Sequence, residues 1–171
     1  MKQRTPLVLM SVLAALAVAL PGAAVAKRGG TDRPIKGSTS GTTTVDLTTL
    51  TATDQSTGVF SHLGKTTTSA SFTVAFTGPT TLVLSGPLTL TAANGDQVFA
   101  TCTGNVTTSA PVPAVGGTTD YTLDCTVAGG TGRFSDASGT STTTGHQEIV
   151  SFVGTTVTLR NTTTSTGRIS Y

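Results

Sequence analysis

The chain has 171 residues, few aromatics (5 %) and few charges (11 %), and ten Lys and Arg against eight Asp and Glu. So slight a positive balance excludes a nucleic-acid binder, which needs many phosphate-neutralising cations, and a polybasic membrane patch. Two cysteines and two histidines are too few and too scattered for a four-ligand zinc site, so neither a metal nor a cofactor is expected.

Lys2 and Arg4 precede the apolar run Leu7–Leu20, Pro21-Gly22 breaks it, and Ala24-Val25-Ala26 supplies an A-x-A site. That order predicts a secretory signal over residues 1–26, cut between Ala26 and Lys27. The run is shorter than the roughly 17–25 residues a membrane span requires, and no later segment is long and apolar enough to be one. With no cysteine at the cleavage site there is no lipid anchor, so the expected product is secreted and soluble. Losing Lys2 and Arg4 leaves eight cations against eight acids. About 145 residues remain, enough for one domain with a sizeable core.

Residues 27–40, with Lys27, Arg28, Arg33 and Lys36 among Gly, Pro and Ser, read as a flexible arm ahead of a domain over 41–171. Threonine makes up about a quarter of the chain and suits a pleated, half-wet surface. A mucin-like stalk or a disordered chain would lack the regularly spaced Leu, Val, Ile and Phe. Those residues recur at every second position, the strand period. Val45 and Leu47 alternate with polar residues; Val59 to Leu63 is ambiguous, with either Val59 and Leu63 or Phe60 and His62 inward. Phe72, Val74 and Phe76 form a clean inward set. Leu82, Leu84, Leu88 and Leu90 keep one parity across Gly86-Pro87, one bent strand or two short ones at an edge or bulge.

Ala93-Asn94-Gly95-Asp96 is the strongest turn signal. Asn-Gly favours a type I′ turn and folds the strand at 80–92 back onto 97–107. Val98, Ala100, Cys102 and Val106 then share a face, and after the loop Pro111–Gly117 so do Tyr121, Leu123, Cys125 and Val127. Centring that loop near Pro113 sets Cys102 directly opposite Cys125. In an exported chain this predicts a structural disulfide rather than a redox pair, which usually has C-x-x-C spacing. Two or three strands complete the chain, about 139–153, 155–163 and 164–171, with Gly154 and Gly167 as candidate bends. No helical period occurs after the signal. Eight or nine regularly spaced strands argue for an all-β barrel or sandwich, and we read a single antiparallel β-barrel of about eight strands.

Between the two halves lies Gly129-Gly130-Thr131-Gly132-Arg133-Phe134-Ser135-Asp136-Ala137-Ser138-Gly139, a backbone corner. A phosphate loop would need a helix next, whereas the residues after Gly139 are strand-like and threonine-rich. Gly129 to Phe134, with Ala137 and Gly139, resembles the GGTGRF..A.G segment of the allene oxide cyclase and dirigent barrel-like families. Gly167-Arg168-Ile169-Ser170-Tyr171 and Leu90–Asp96 are similar to segments of small exported bacterial proteins assigned to that barrel. The resemblance implies an eight-stranded antiparallel barrel with an apolar pocket. Those families steer phenolic radical coupling or close an unsaturated fatty-acid epoxide, but no motif carries their catalytic residues onto this chain, and few aromatics are present to stack a phenol.

Candidate chemistry is sparse. His62, Tyr121, His146 and Glu148 form the polar set an enzyme could use. His146 and Glu148 share parity, either a pair inside the barrel or an exposed polar patch. Arg133 could meet an anion at the corner or lie over the barrel end. Asn105-Val106-Thr107 and Asn161-Thr162-Thr163 match the glycosylation sequon. Three functions compete: a non-enzymatic barrel that holds a small apolar molecule or serves a structural extracellular role, a cyclase- or isomerase-like enzyme, and a surface or matrix protein. A binder or enzyme needs a cavity of roughly 300 Å³ or more with a few convergent polar groups, whereas a structural barrel is packed solid.

Overall fold

The computed structural model describes residues 30–171, so the expected signal segment and its expected cleavage site at Ala26 and Lys27 lie outside the described residues. Eight strands run in order: β1 Asp32–Asp46, β2 Thr51–Phe60, β3 Gly64–Phe76, β4 Thr81–Ala92, β5 Gln97–Thr108, β6 Thr118–Gly130, β7 Ser138–Val153 and β8 Thr156–Ser170. Each pairs antiparallel with the next, and β8 pairs with β1 to close the barrel. Closure leaves no open edge, which keeps so threonine-rich a set of strands from pairing with other chains.

Residues 32–40 are not a flexible arm. β1 pairs with β8 without interruption from Asp32 opposite Ser170 to Asp46 opposite Thr156. Its inward side chains include Ile35, Thr39 and Thr43, all buried. The intervening inward positions, Gly37 and Gly41, carry no side chain, so the strand lacks the apolar alternation that marks β3 or β5. Backbone pairing with β8, joined from Gly37 onward by pairing with β2, does the ordering instead.

The central hairpins match the periodicity. Cys102 stands opposite Cys125 with Cα atoms 4.0 Å apart and the sulfurs disulfide-bonded, both buried on the inner face. That short separation belongs to a non-hydrogen-bonded pair, where side chains approach most closely. β4 runs as one strand, and its pairing with β3 skips Gly86 and Pro87 while keeping register on either side. Pro87 has no N–H to donate there. The β4–β5 turn departs from type I′. Gly95 takes φ 87° whereas Asn94 does not enter the positive-φ region. The Gly95 N–H donates to Ala92 O at 2.9 Å and Ala92 N–H to Asp96 O at 2.8 Å, the three-residue type I turn closed by a left-handed glycine. Two strands, not three, complete the chain: Gly154 (φ 61°) sits in the β7–β8 turn, and Gly167 lies within β8.

Register shifts occur between Phe99 and Ala100 in the β5–β6 ladder and between Ile149 and Ser151 in the β7–β8 ladder. Such bulges add local twist and help a sheet curl into a barrel. The first lies across from the glycine corner. There, one turn of 3-10 helix at Gly132–Phe134 drives Phe134 into the barrel end, where it is 0 % exposed. Ile35, Phe60, Leu63, Leu90, Val98, Ala137 and Ile169 pack with it. Tyr171 meets the ring edge-on at a centroid distance of 4.8 Å, and the Arg133 guanidinium lies 4.7 Å over its face. This end of the barrel is sealed. The resemblance-bearing residues Gly129, Gly130, Gly132, Phe134 and Gly139 are therefore the stopper and its backbone support.

Candidate binding site inside the barrel

Strand alternation sends every second side chain of all eight strands inward, but the inward residues differ around the wall. On β3–β6 they are Phe72, Val74, Leu82, Leu84, Ala100, Val106 and Leu123 with the disulfide, one continuous apolar surface. On β1, β2, β7 and β8 they include Thr39, Thr43, Asp54, Ser56, Thr143, Gln147, Asn161 and Ser165. Small and polar side chains fill less of the lumen than Leu or Phe, so it stays hollow, with a cavity of about 260 Å³. That is close to the lower bound for a small-molecule site.

The cavity opens at the end opposite Phe134. Its mouth is lined by Pro79 and Thr80 of the β3–β4 loop and by Ser109 to Ala114 of the β5–β6 loop. None of the four loops at this end (47–50, 77–80, 109–117 and 154–155) carries a charged residue. Val112 is 71 % exposed and Val153 73 %, and Leu50, Phe76 and Val115 are exposed around them. Phe76 keeps the inward parity expected of it and lines the cavity opposite Leu82, but is exposed because β3 there runs past the packed interior to the mouth.

Inside, the polar wall converges on Asp54. Thr43 Oγ1 donates to Asp54 Oδ2 at 2.8 Å, Ser56 Oγ donates to Asp54 Oδ1 at 2.7 Å, and Asn161 Nδ2 donates to Oδ2. The network extends outward from there. Asn161 Nδ2 and Gln147 Nε2 donate to Thr43 Oγ1 at 2.9 and 2.8 Å, and Thr119 Oγ1 donates to Gln147 Oε1 at 2.9 Å. With two bonds accepted, Thr43 has its own proton left for Asp54, so the donor directions are set. Burial holds the Asp54 carboxyl above its ordinary value, and the bonds from Ser56, Thr43 and Asn161 pull it only partway back.

Tyr121 reaches the same cavity from β6. Its ring lies against Gly145 on β7, its paired residue, where a β-carbon would collide with the phenol. Burial first, and the nearby Asp54 charge second, push the Tyr121 hydroxyl well above its usual range, so it remains a proton donor. Thr68 Oγ1, behind the wall of the same cavity, is buried without a hydrogen-bond partner. Asp54 and Tyr121 thus supply polar atoms to the border of an apolar space.

The other sequence candidates lie elsewhere. His146 and Glu148 do share a face, but it is the outer one. His146 Nδ1 is 2.7 Å from Asp120 Oδ1, and its side chain is 57 % exposed; Glu148 is exposed beside it. The inward residue between them is Gln147, so the pair cannot act in the lumen. His62 occupies the β2–β3 turn at the sealed end, with Nε2 3.1 Å from Pro34 O. Arg133 donates to His62 O and lies 3.8 Å from Asp96, so its guanidinium latches two turns together. Of the sequons, Asn105 is exposed, while Asn161 is buried in the Asp54 network and closed to modification in the folded barrel. No cluster of three or more His, Cys, Asp or Glu that could hold a metal occurs among the described residues.

Asp54 escapes a reading of the residues alone because its strand, Thr51–Phe60, shows no apolar alternation beyond Ala52 and Phe60. Parity with those two residues is the one signal that points it inward. Its burial has a measurable consequence. A carboxyl that binds its proton more tightly in the folded than in the unfolded state gives stability that is complete below the unfolded value near 3.8. That contribution is lost as pH rises through the folded value. The melting temperature of Asp54→Asn should therefore gain on that of the unsubstituted protein as pH rises above the unfolded value near 3.8. Parallel pH profiles would show that Asp54 carries no such proton.

Neither a family model, a curated protein nor a solved structure matches the chain.

Proposed function

We propose that this is an exported, non-enzymatic barrel that binds one small apolar molecule in its lumen. The reading rests on the lumen itself: hollow, apolar over half its wall, sealed at one end by Phe134 and open at the other through uncharged loops. A barrel serving only as a structural or matrix element gains nothing from an unfilled interior, since each void forfeits packing contacts. The signal-like order of residues 1–26 and the disulfide support export. Among the described residues no helix is long and apolar enough to cross a membrane. The glycine corner's resemblance to the allene oxide cyclase and dirigent barrels supports a pocket of the same kind. With His146 and Glu148 outside, a cyclase- or isomerase-like activity loses its acid–base pair.

A thermal-shift screen across fatty acids, terpenoids and phenolics tests the reading. A ligand at a hundredfold excess over its Kd stabilises the folded state by about 2.7 kcal/mol. Ala70 lines the cavity, and Ala70→Phe, which fills part of it, should abolish the shift while preserving the β-sheet circular dichroism. A screen without any shift, or a shift undiminished in Ala70→Phe, would overturn lumenal binding.

A further inference from the structure

The lumen's polar groups restrict what its ligand can be. We propose that the cavity takes an apolar molecule with a single hydrogen-bond-donating, non-anionic head, a hydroxyl or an amine, seated between Asp54 and Tyr121, and that it rejects carboxylates. This rests on lumenal binding and adds the chemical class.

The acceptor is Asp54. A carboxylate has about four acceptor sites. Oδ2 takes bonds from Thr43 and Asn161, and Oδ1 takes only one, from Ser56. One site on Oδ1 is left for a donor from the ligand. All three protein donors are neutral, and no cation among the described residues shares the carboxyl. Arg168, the one cation among them that borders the cavity, is exposed and paired with Asp32. A ligand carboxylate would thus face a carboxyl with no counter-charge in a space of low polarity, where two like charges cannot both ionise cheaply. An ammonium meets the reverse situation, and a hydroxyl meets both kinds of partner. It can donate to Asp54 while accepting from Tyr121, which borders the same cavity and stays protonated. The rest of the wall offers mainly apolar contact. At about 30 Å³ per water-sized volume, a cavity of about 260 Å³ accommodates roughly nine heavy atoms.

Octanol, octylamine, octanoate and nonane form a matched set for the test. The expected result at neutral pH is binding of octanol and octylamine at least about tenfold tighter than octanoate, by calorimetry or thermal shift, given the like-charge penalty. Nonane, which leaves the polar atoms unpaired, should bind more weakly than octanol. Tyr121→Phe should weaken octanol roughly two- to tenfold, the range for one neutral hydrogen bond, and Asp54→Asn should abolish the preference for octylamine over octanoate. A measurement on the unsubstituted protein is independent of any variant's folding. Octanoate should begin to bind as pH falls through its own titration, because the protonated acid presents a hydroxyl donor. Octanoate that binds at neutral pH as tightly as octanol overturns the head-group assignment while leaving lumenal binding intact. No binding by any of the four, nonane included, overturns lumenal binding itself.

Discussion

Truncating Phe134 to alanine is expected to lower the unfolding free energy by about 3–5 kcal/mol, the range for emptying a fully buried phenylalanine site. The site cannot collapse to compensate. Phe134 is held on one side by the β-barrel wall (Ile35, Phe60, Val98 and Ile169) and on the other by Tyr171 and the Arg133 guanidinium. Its backbone is fixed by the preceding corner, where Gly132 takes φ 56° and a β-carbon would strike the Asp96 carboxylate. The loss should show in urea unfolding as a lower midpoint at an unchanged slope. Position adds a second effect. Phe134 seals the lumen, so its loss converts a blind pocket into one open at both ends and should speed ligand dissociation. A loss under about 1 kcal/mol would mean that the ring is not the closure the packing describes.

Replacing both cysteines with alanine is the second large perturbation. Cys102 and Cys125 are 23 residues apart in sequence, and closing a loop of that size restricts the unfolded chain by about 3 kcal/mol. Both belong to the apolar β3–β6 wall, with Cys102 only 1 % exposed. The double variant should therefore unfold about 2–4 kcal/mol more easily while keeping the barrel, since the flanking β5–β6 pairs are independent of the sulfurs. Burial also predicts kinetics. Reductant under native conditions should leave both cysteines unreactive toward an alkylating reagent, and the same reductant in denaturant should release two thiols. Rapid labelling of the native protein would contradict the inward placement.

How far each element can be read from the residues depends on what its inward positions carry. β3, β5 and β6 alternate Phe, Val, Leu, Ala and Cys with Thr, Ser and Asp. Their faces, the β4–β5 and β5–β6 hairpins and the disulfide all come from that contrast in hydropathy and from turn chemistry. β1 and β2 have inward Gly, Thr, Ser and Asp, so the same period of two is present without any contrast to reveal it. That is why residues 32–40 read as an arm and Asp54 is marked only by its parity with Ala52 and Phe60. His146 and Glu148 do lie on one face, but parity alone does not say which face is inside. Gln147 between them is as polar as its neighbours.

The strand period, the central hairpin register, the cysteine pair and the glycine corner are legible without coordinates, because each is a local consequence of side-chain alternation, turn residues and short loops. Three features needed the folded molecule: β1 closing on β8, the corner plugging one end with Phe134, and Asp54 and Tyr121 bordering one hollow lumen. Closure joins segments more than a hundred residues apart, and a side chain on a threonine-rich strand becomes interior only when distant strands complete the wall around it.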